Sequence, residues 1–107
     1  MEAMETFLQT AGALYDETRV TLLALIDAQG PLCVCELQNA LAMTQSRLSR
    51  HLKILKDAGF LRVERKGRWA YYAIRTPMDR FRTSALEEIR TLGLELPEID
   101  NHKGCTV

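Results

Sequence analysis

A chain of 107 residues with 47% hydrophobic side chains has material for one modest core and is short for two ordinary domains. No uninterrupted apolar run is long enough to cross a bilayer, and Met1 is followed by Glu2 and Glu5 rather than by a basic and then an apolar stretch. Neither a membrane span nor a secretory leader is therefore expected, and three cysteines fit reactive thiols in a reducing cytoplasm better than a disulfide framework.

Helical spacing of Met4, Phe7, Leu8, Ala11, Leu14 and Tyr15 predicts a first amphipathic helix over roughly residues 3–15. Asp16 is a suitable cap for a second, in which Val20, Leu22, Leu23, Leu25 and Ile26 are largely buried and which Gly30-Pro31 ends. Leu37, Ala40 and Leu41 mark a short third helix with Cys33 and Cys35 at its entrance. Thr44 caps a fourth, with Leu48, Leu52 and Leu55 on its core face, Gln45, Ser46, Ser49, Arg50 and Lys53 outside, and Gly59 at its end. Two helices joined so closely, the second with a short-polar and basic outer face, have the helix-turn-helix pattern.

Residues 60–66 and 69–75 read as two strands joined by a turn at Lys66-Gly67-Arg68, a hairpin with a basic tip. Placed directly after a recognition helix, such a hairpin is a wing. Thr76, Pro77 and Asp79 suggest the start of a fifth helix, with Pro77 at its first helical position, and Phe81, Ala85, Ile89 and Leu92 carry it to Gly93. The expected fold is mainly α with a small β-hairpin, a winged helix-turn-helix of four helices, a hairpin and a last helix. Residues 1–96 form the DNA-binding and dimerisation domain, and residues 97–107 a polar tail. The first and fifth helices carry apolar surface beyond what one small core needs, which predicts a two-fold homodimer through them and two recognition helices about one DNA turn apart.

Charge supports the same assignment. Residues 44–75 hold nine Lys/Arg against Asp57 and Glu64, a net +7, so the rest of this formally neutral chain sums to −7. A basic excess coinciding with a helix-and-wing pattern points to double-stranded DNA. An enzyme is disfavoured: there is no Gly-rich phosphate loop, no His-Glu-x-x-His, and Cys-x-Cys is not the oxidoreductase spacing.

Thiolates are soft ligands, so Cys33 and Cys35 favour thiophilic ions over magnesium or calcium, and a helix N-terminus favours the reactive thiolate form. Residues two apart on a regular helix project about 200° apart. Either Cys33 lies outside the helix, or binding distorts the helix's first turn.

From about Asp16 to Arg90 the chain closely resembles the ArsR family of bacterial metalloregulatory repressors. The resemblance rests on Asp16-Glu17-Thr18-Arg19, Leu32-Cys33-Val34-Cys35-Glu36-Leu37, Ser49-Arg50-His51-Leu52 and Lys66-Gly67-Arg68-Trp69, in order and at family spacing. It implies a homodimeric repressor that leaves its operator when an inducer binds. Base reading falls on Gln45, Ser46, Ser49 and Arg50, and phosphate contact on Thr44, Lys53, Lys66 and Arg68. His51 is read as a packing or backbone-contacting residue.

The resemblance narrows the inducer to trivalent arsenic or antimony, inorganic or organic. Where the family pattern often has a third cysteine, this chain has Gln38, so a three-thiolate site would need Cys105, from the same or the other subunit. The alternatives are that Cys33 and Cys35 bind alone, with hydroxide or an external thiol completing the ion, or that an organoarsenical needs only these two. Zinc sensors of the family use histidines and carboxylates on the last helix, and here Asp79, Glu87 and Glu88 have no histidine beside them. The main rivals are a thiol redox switch using the same cysteines and a sensor of another soft metal.

Overall fold

The structure is a computed structural model, and it describes residues 2–99. Its elements are α1 (Glu2–Ala13), α2 (Glu17–Gln29), β1 (Leu32–Cys33), α3 (Val34–Leu41), α4 (Gln45–Asp57), β2 (Leu61–Lys66), β3 (Trp69–Ile74) and α5 (Arg80–Arg90). They form a winged helix-turn-helix.

The helix starts follow side-chain capping. Asp16 accepts from the Arg19 backbone N–H at 3.1 Å and Thr44 Oγ1 from that of Arg47 at 3.3 Å, each satisfying a donor that a helix N-terminus leaves unpaired. Leu22, Leu23 and Leu25 from α2 meet Leu37 from α3 and Leu48, Leu52 and Leu55 from α4, all with no solvent exposure. Phe60 closes this core where α4 gives way to the wing: its N–H donates to the Leu55 carbonyl, and its own carbonyl accepts from Arg75 N–H, both at 3.0 Å.

β2 and β3 pair antiparallel from Leu61↔Ile74 to Lys66↔Trp69, leaving Gly67 and Arg68 as a two-residue loop. Gly67 has φ +62°, a positive value that glycine adopts without steric cost, and it tightens the turn to the twist of the strands. The hairpin carries a third strand that the sequence pattern does not reveal. β1 pairs antiparallel with β3 through Leu32↔Tyr72 and Cys33↔Tyr71, giving the order β1-β3-β2. Two residues after a proline are too few to show an alternating pattern.

Three expected boundaries move. α1 ends at Ala13, and Leu14 and Tyr15 continue only as a tight turn, donating to the carbonyls of Ala11 and Gly12 at 3.1 Å. The fifth helix does not begin at Pro77. Asp79 is its cap, accepting from Arg82 N–H at 3.0 Å, because a carboxylate that can also pair with the Arg82 guanidinium outcompetes the Thr76 hydroxyl. That helix ends at Arg90, with Thr91 as its C-cap, short of Gly93. Beyond it, Leu96 and Ile99 are half-buried against the core.

α5 is tied to α2 by Arg90, whose Nε and Nη2 donate to the two Asp27 carboxylate oxygens at 2.8 and 2.9 Å. That two-pronged bond holds the Asp27 carboxyl below its ordinary value of 3.8, against a smaller opposing effect of burial. A depressed folded-state value stabilises above the unfolded value, and this contribution is lost as pH falls through the folded one. The melting-temperature advantage of the wild type over Asp27→Asn is therefore expected to be full at neutral pH and to narrow below about pH 3.8 in a thermal-unfolding series.

Candidate nucleic-acid interface and thiolate site

α4 presents the predicted reading surface because its two faces differ so sharply. Leu48, Leu52 and Leu55 anchor it, while Thr44, Gln45, Ser46, Ser49, Arg50 and Lys53 are all exposed. Lys66 and Arg68 at the wing tip are exposed as well. All eight residues assigned to DNA from the sequence are thus available to a partner, in two groups on α4 and the wing.

Their charges are not equally free. Lys53 Nζ donates to Asp57 Oδ2 at 2.7 Å one turn along α4, and this bond raises the lysine's pKa. Part of its charge is answered within the protein. Lys66 Nζ stands 5.6 Å from the centroid of the Tyr71 ring, a cation–π contact that restrains the wing-tip ammonium without neutralising it. Arg62 pairs with Glu64 at the side of β2. Among the described residues Arg47, Arg50, Lys56, Arg65, Arg68 and Arg75 of the basic stretch are exposed and form no ion pair; of these, Arg50 lies on α4 beside Gln45, Ser46 and Ser49, and Arg65 and Arg68 lie on the wing.

His51 takes a packing role. Its Nδ1 lies 3.2 Å from Arg19 Nη1, so the neutral ring can accept from the guanidinium. Burial, helped by Arg19, Arg47 and Arg50, outweighs Asp16 and holds its pKa below the usual 6.5.

The cysteine pair straddles a boundary. Cys33 belongs to β1 and is the N-cap of α3, with extended backbone (φ −84°, ψ 162°), whereas Cys35 lies in the helix's first turn. Of the two alternatives that spacing left open, Cys33 outside the helix is the observed one. The two thiols also differ in access: Cys33 is 3% exposed and Cys35 half-buried. The Cys33 N–H donates to Glu36 Oε1 at 3.0 Å, one arm of a capping-box arrangement in which a thiol stands where serine or threonine is usual. Among the described residues no three His, Cys, Asp or Glu side chains converge as a metal site. Cys105, the candidate third ligand, lies outside the described residues.

α1 and α5 leave an apolar face open. Met4, Phe7 and Leu8 on α1 are each more than half exposed, and the rings of Phe7 and Phe81 stack with centroids 5.3 Å apart. Beside them runs an open groove of about 850 Å³.

The arrangement of α3, α4 and the β2–β3 wing defines a helix-turn-helix regulator. Residues 16–63 match the model of the bacterial regulatory protein, arsR family. The chain is 41% identical over 71 residues to the arsenical resistance operon repressor of Bacillus subtilis, covering 66% of this chain and 68% of that one. It is 49% identical over 61 residues to the arsenic resistance transcriptional regulator ArsR1 of Pseudomonas putida, covering 57% and 48%. The matched region thus spans from about half to two thirds of these relatives' length. Two solved structures share the fold: the homodimeric winged helix-turn-helix domain Mb0332 of Mycobacterium bovis (TM-score 0.71, 23% identity, covering 84% of this chain and 80% of that one) and reduced HlyU of Vibrio cholerae (TM-score 0.71, 21% identity, covering 88% and 95%). The chain belongs to the ArsR family of bacterial regulatory proteins.

Arg19 and Arg82 are the functional candidates that sequence reasoning passed over. Arg19 stands inside a recognised motif and Arg82 one turn after a cap, so each reads as a local partner. Their long-range contacts, with His51 and with Thr10, carry no sequence signal.

Proposed function

We propose that this protein is a homodimeric repressor that holds a double-stranded operator through α4 and the wing and releases it when trivalent arsenic or antimony binds Cys33 and Cys35. The observation that carries the reading is the position of these thiols, one capping α3 and one in its first turn, on the helix that leads directly into α4. Relatives named for arsenical resistance support the choice of ion.

In the proposed complex Arg50 and Gln45 read base edges, since a guanidinium fork suits guanine and a carboxamide suits adenine. Ser46 and Ser49 add shorter contacts, and Thr44, Lys53, Lys66 and Arg68 hold phosphates. A second copy of the chain covers the Met4, Phe7, Leu8 and Phe81 face, consistent with the homodimeric state of the Mycobacterium bovis domain.

Arsenous acid condenses with two thiols, forming two As–S bonds and releasing two water molecules, and the arsenic keeps one hydroxyl. Cys105 or an external thiol displaces that hydroxyl as a further water when a third As–S bond forms. No electron is transferred. Because Cys33 is almost fully buried, an ion that bridges it to Cys35 displaces what covers the β1–α3 junction, and the Cys33–Glu36 bond at that junction opens with it. Moving α3 shifts its partner α4. Cys33 is also paired with Tyr71 of β3, so the same event pulls on the wing.

The test is selectivity of release. Operator bound to the reduced protein is titrated with arsenite, antimonite, methylarsenite, cadmium, zinc and peroxide, with fluorescence anisotropy as the readout. Release by the trivalent arsenic and antimony compounds is expected. Release by peroxide and not by arsenite would replace this reading with a thiol redox switch, and release by cadmium alone with a sensor of another soft metal.

A further inference from the structure

α1 is attached to its own domain at few points. Residues 2–9 are all exposed, and within the helix only Thr10 and Ala13 are buried. Two of the side chains that hold it also hold the recognition helix.

Arg82, from the first turn of α5, has a guanidinium shared among three elements. Nη1 pairs with Asp79 at 2.6 Å, Nε donates to the Ala58 carbonyl at 2.7 Å, and Nη2 donates to Thr10 Oγ1 at 3.0 Å. Ala58 is the C-cap of α4 and Thr10 lies on α1. The next residue, Gly59, has φ +87°, and a Cβ there would come within 2.7 Å of Arg82 Nε. This glycine ends α4 and leaves the space that the guanidinium fills.

Arg19 makes the second bridge. Its Nε and Nη2 donate to the carbonyls of Ala13 and Gly12 at the end of α1, at 2.8 and 3.3 Å, while Nη1 meets His51 on α4. The two arginines thus grip α4 at residues 51 and 58, about 10 Å apart along the helix axis. One point would leave a rod free to pivot; two fix its direction. Both side chains are largely buried, at 14% and 17% exposure, and the planar fork of arginine holds several acceptors in one fixed geometry.

We propose that Arg82, together with Arg19, locks the recognition helix to the helix that carries the dimer contact, so that these bridges set the distance between half-sites the dimer accepts. Arg82 is a positioning residue for specificity. It need not touch DNA. The inference rests on the reading of the protein as a dimeric operator-binding regulator.

It is tested on a palindromic operator obtained by in vitro selection with the wild-type protein, and on derivatives with one base pair inserted or removed between the half-sites. One base pair changes the separation by about 3.4 Å and the relative rotation by about 35°. Wild type is expected to lose about tenfold or more in affinity on either derivative, and Arg82→Lys about threefold or less. Thr10→Val removes the α1 leg of the bridge, together with the hydroxyl's own bond to the Thr6 carbonyl within α1, and is expected to behave like Arg82→Lys, which keeps the test decisive should the lysine variant fold poorly. Binding to a single half-site should be unchanged in both variants.

A merely structural role would lower affinity by the same factor at every spacing, and that outcome, or full wild-type discrimination in both variants, overturns the inference alone. A wild type indifferent to spacing overturns the dimeric reading as well.

Discussion

Arsenite will fail to strip the operator from the Cys35→Ser protein at concentrations that release the wild type. Coupling between an effector site and a distant binding surface is typically about 1–3 kcal/mol, so the wild type should lose affinity by roughly 5- to 150-fold on binding the ion, and the variant by none. Operator affinity without arsenite should be the same for both, because Cys35 is on α3 and outside the outer face of α4. Cys33→Ser should give the same loss of response. It also tests the capping geometry: serine is a strong N-cap residue, so this variant should fold at least as well as the wild type despite losing the thiol. Anisotropy titrations with and without arsenite, alongside thermal unfolding, report both results. Full release from either variant would mean that the ion acts elsewhere.

Replacing Arg50 with alanine should have the largest effect on DNA recognition. Arg50 is exposed, forms no ion pair among the described residues, and lies on the same outer face as Gln45, Ser46 and Ser49. Losing a two-pronged arginine–guanine contact costs about 1–3 kcal/mol, or roughly 5- to 150-fold on the specific operator, with relaxed preference at the base it reads. Melting temperature should not move, since the side chain supports no packing. Arg68→Ala at the wing is expected to differ in kind: binding weakens similarly on all sequences, and the slope of log affinity against log salt falls by about one. Undiminished operator affinity in Arg50→Ala would sink the assignment of α4 as the reading helix.

The parts of the fold legible in the sequence were those written in short-range patterns. Leu48, Leu52 and Leu55 at helical spacing, Thr44 at a cap and Gly67 at a two-residue turn each encode their structure within a few neighbours. They were found where the pattern placed them. β1 was not legible, because Leu32 and Cys33 become a strand only through Tyr71 and Tyr72, some forty residues further on. Thr76-Pro77 imitated a helix start that Asp79 in fact provides, by pairing with both the backbone and the guanidinium of Arg82. The site shows the same division. Outward residues of α4 and the cysteine pair could be named from spacing and chemistry, whereas Arg82 and Thr10 are 72 residues apart and meet only in the folded chain.

The wing also gained a connection that a reading by separate motifs does not supply. Cys33 pairs across the sheet with Tyr71, and Lys66 rests over the Tyr71 ring. The cysteine pair therefore has structural neighbours on both elements that the proposal assigns to DNA: α4 through the packing of α3, and the wing through β1.

Arsenic K-edge X-ray absorption on the reduced protein, taken at the arsenite stoichiometry that just completes operator release, tests the central claim most directly. The account requires sulfur neighbours at bonding distance, at least two for each arsenic, and their loss in Cys33→Ser and Cys35→Ser. An arsenic surrounded by oxygen alone in a sample whose operator has been released would contradict it.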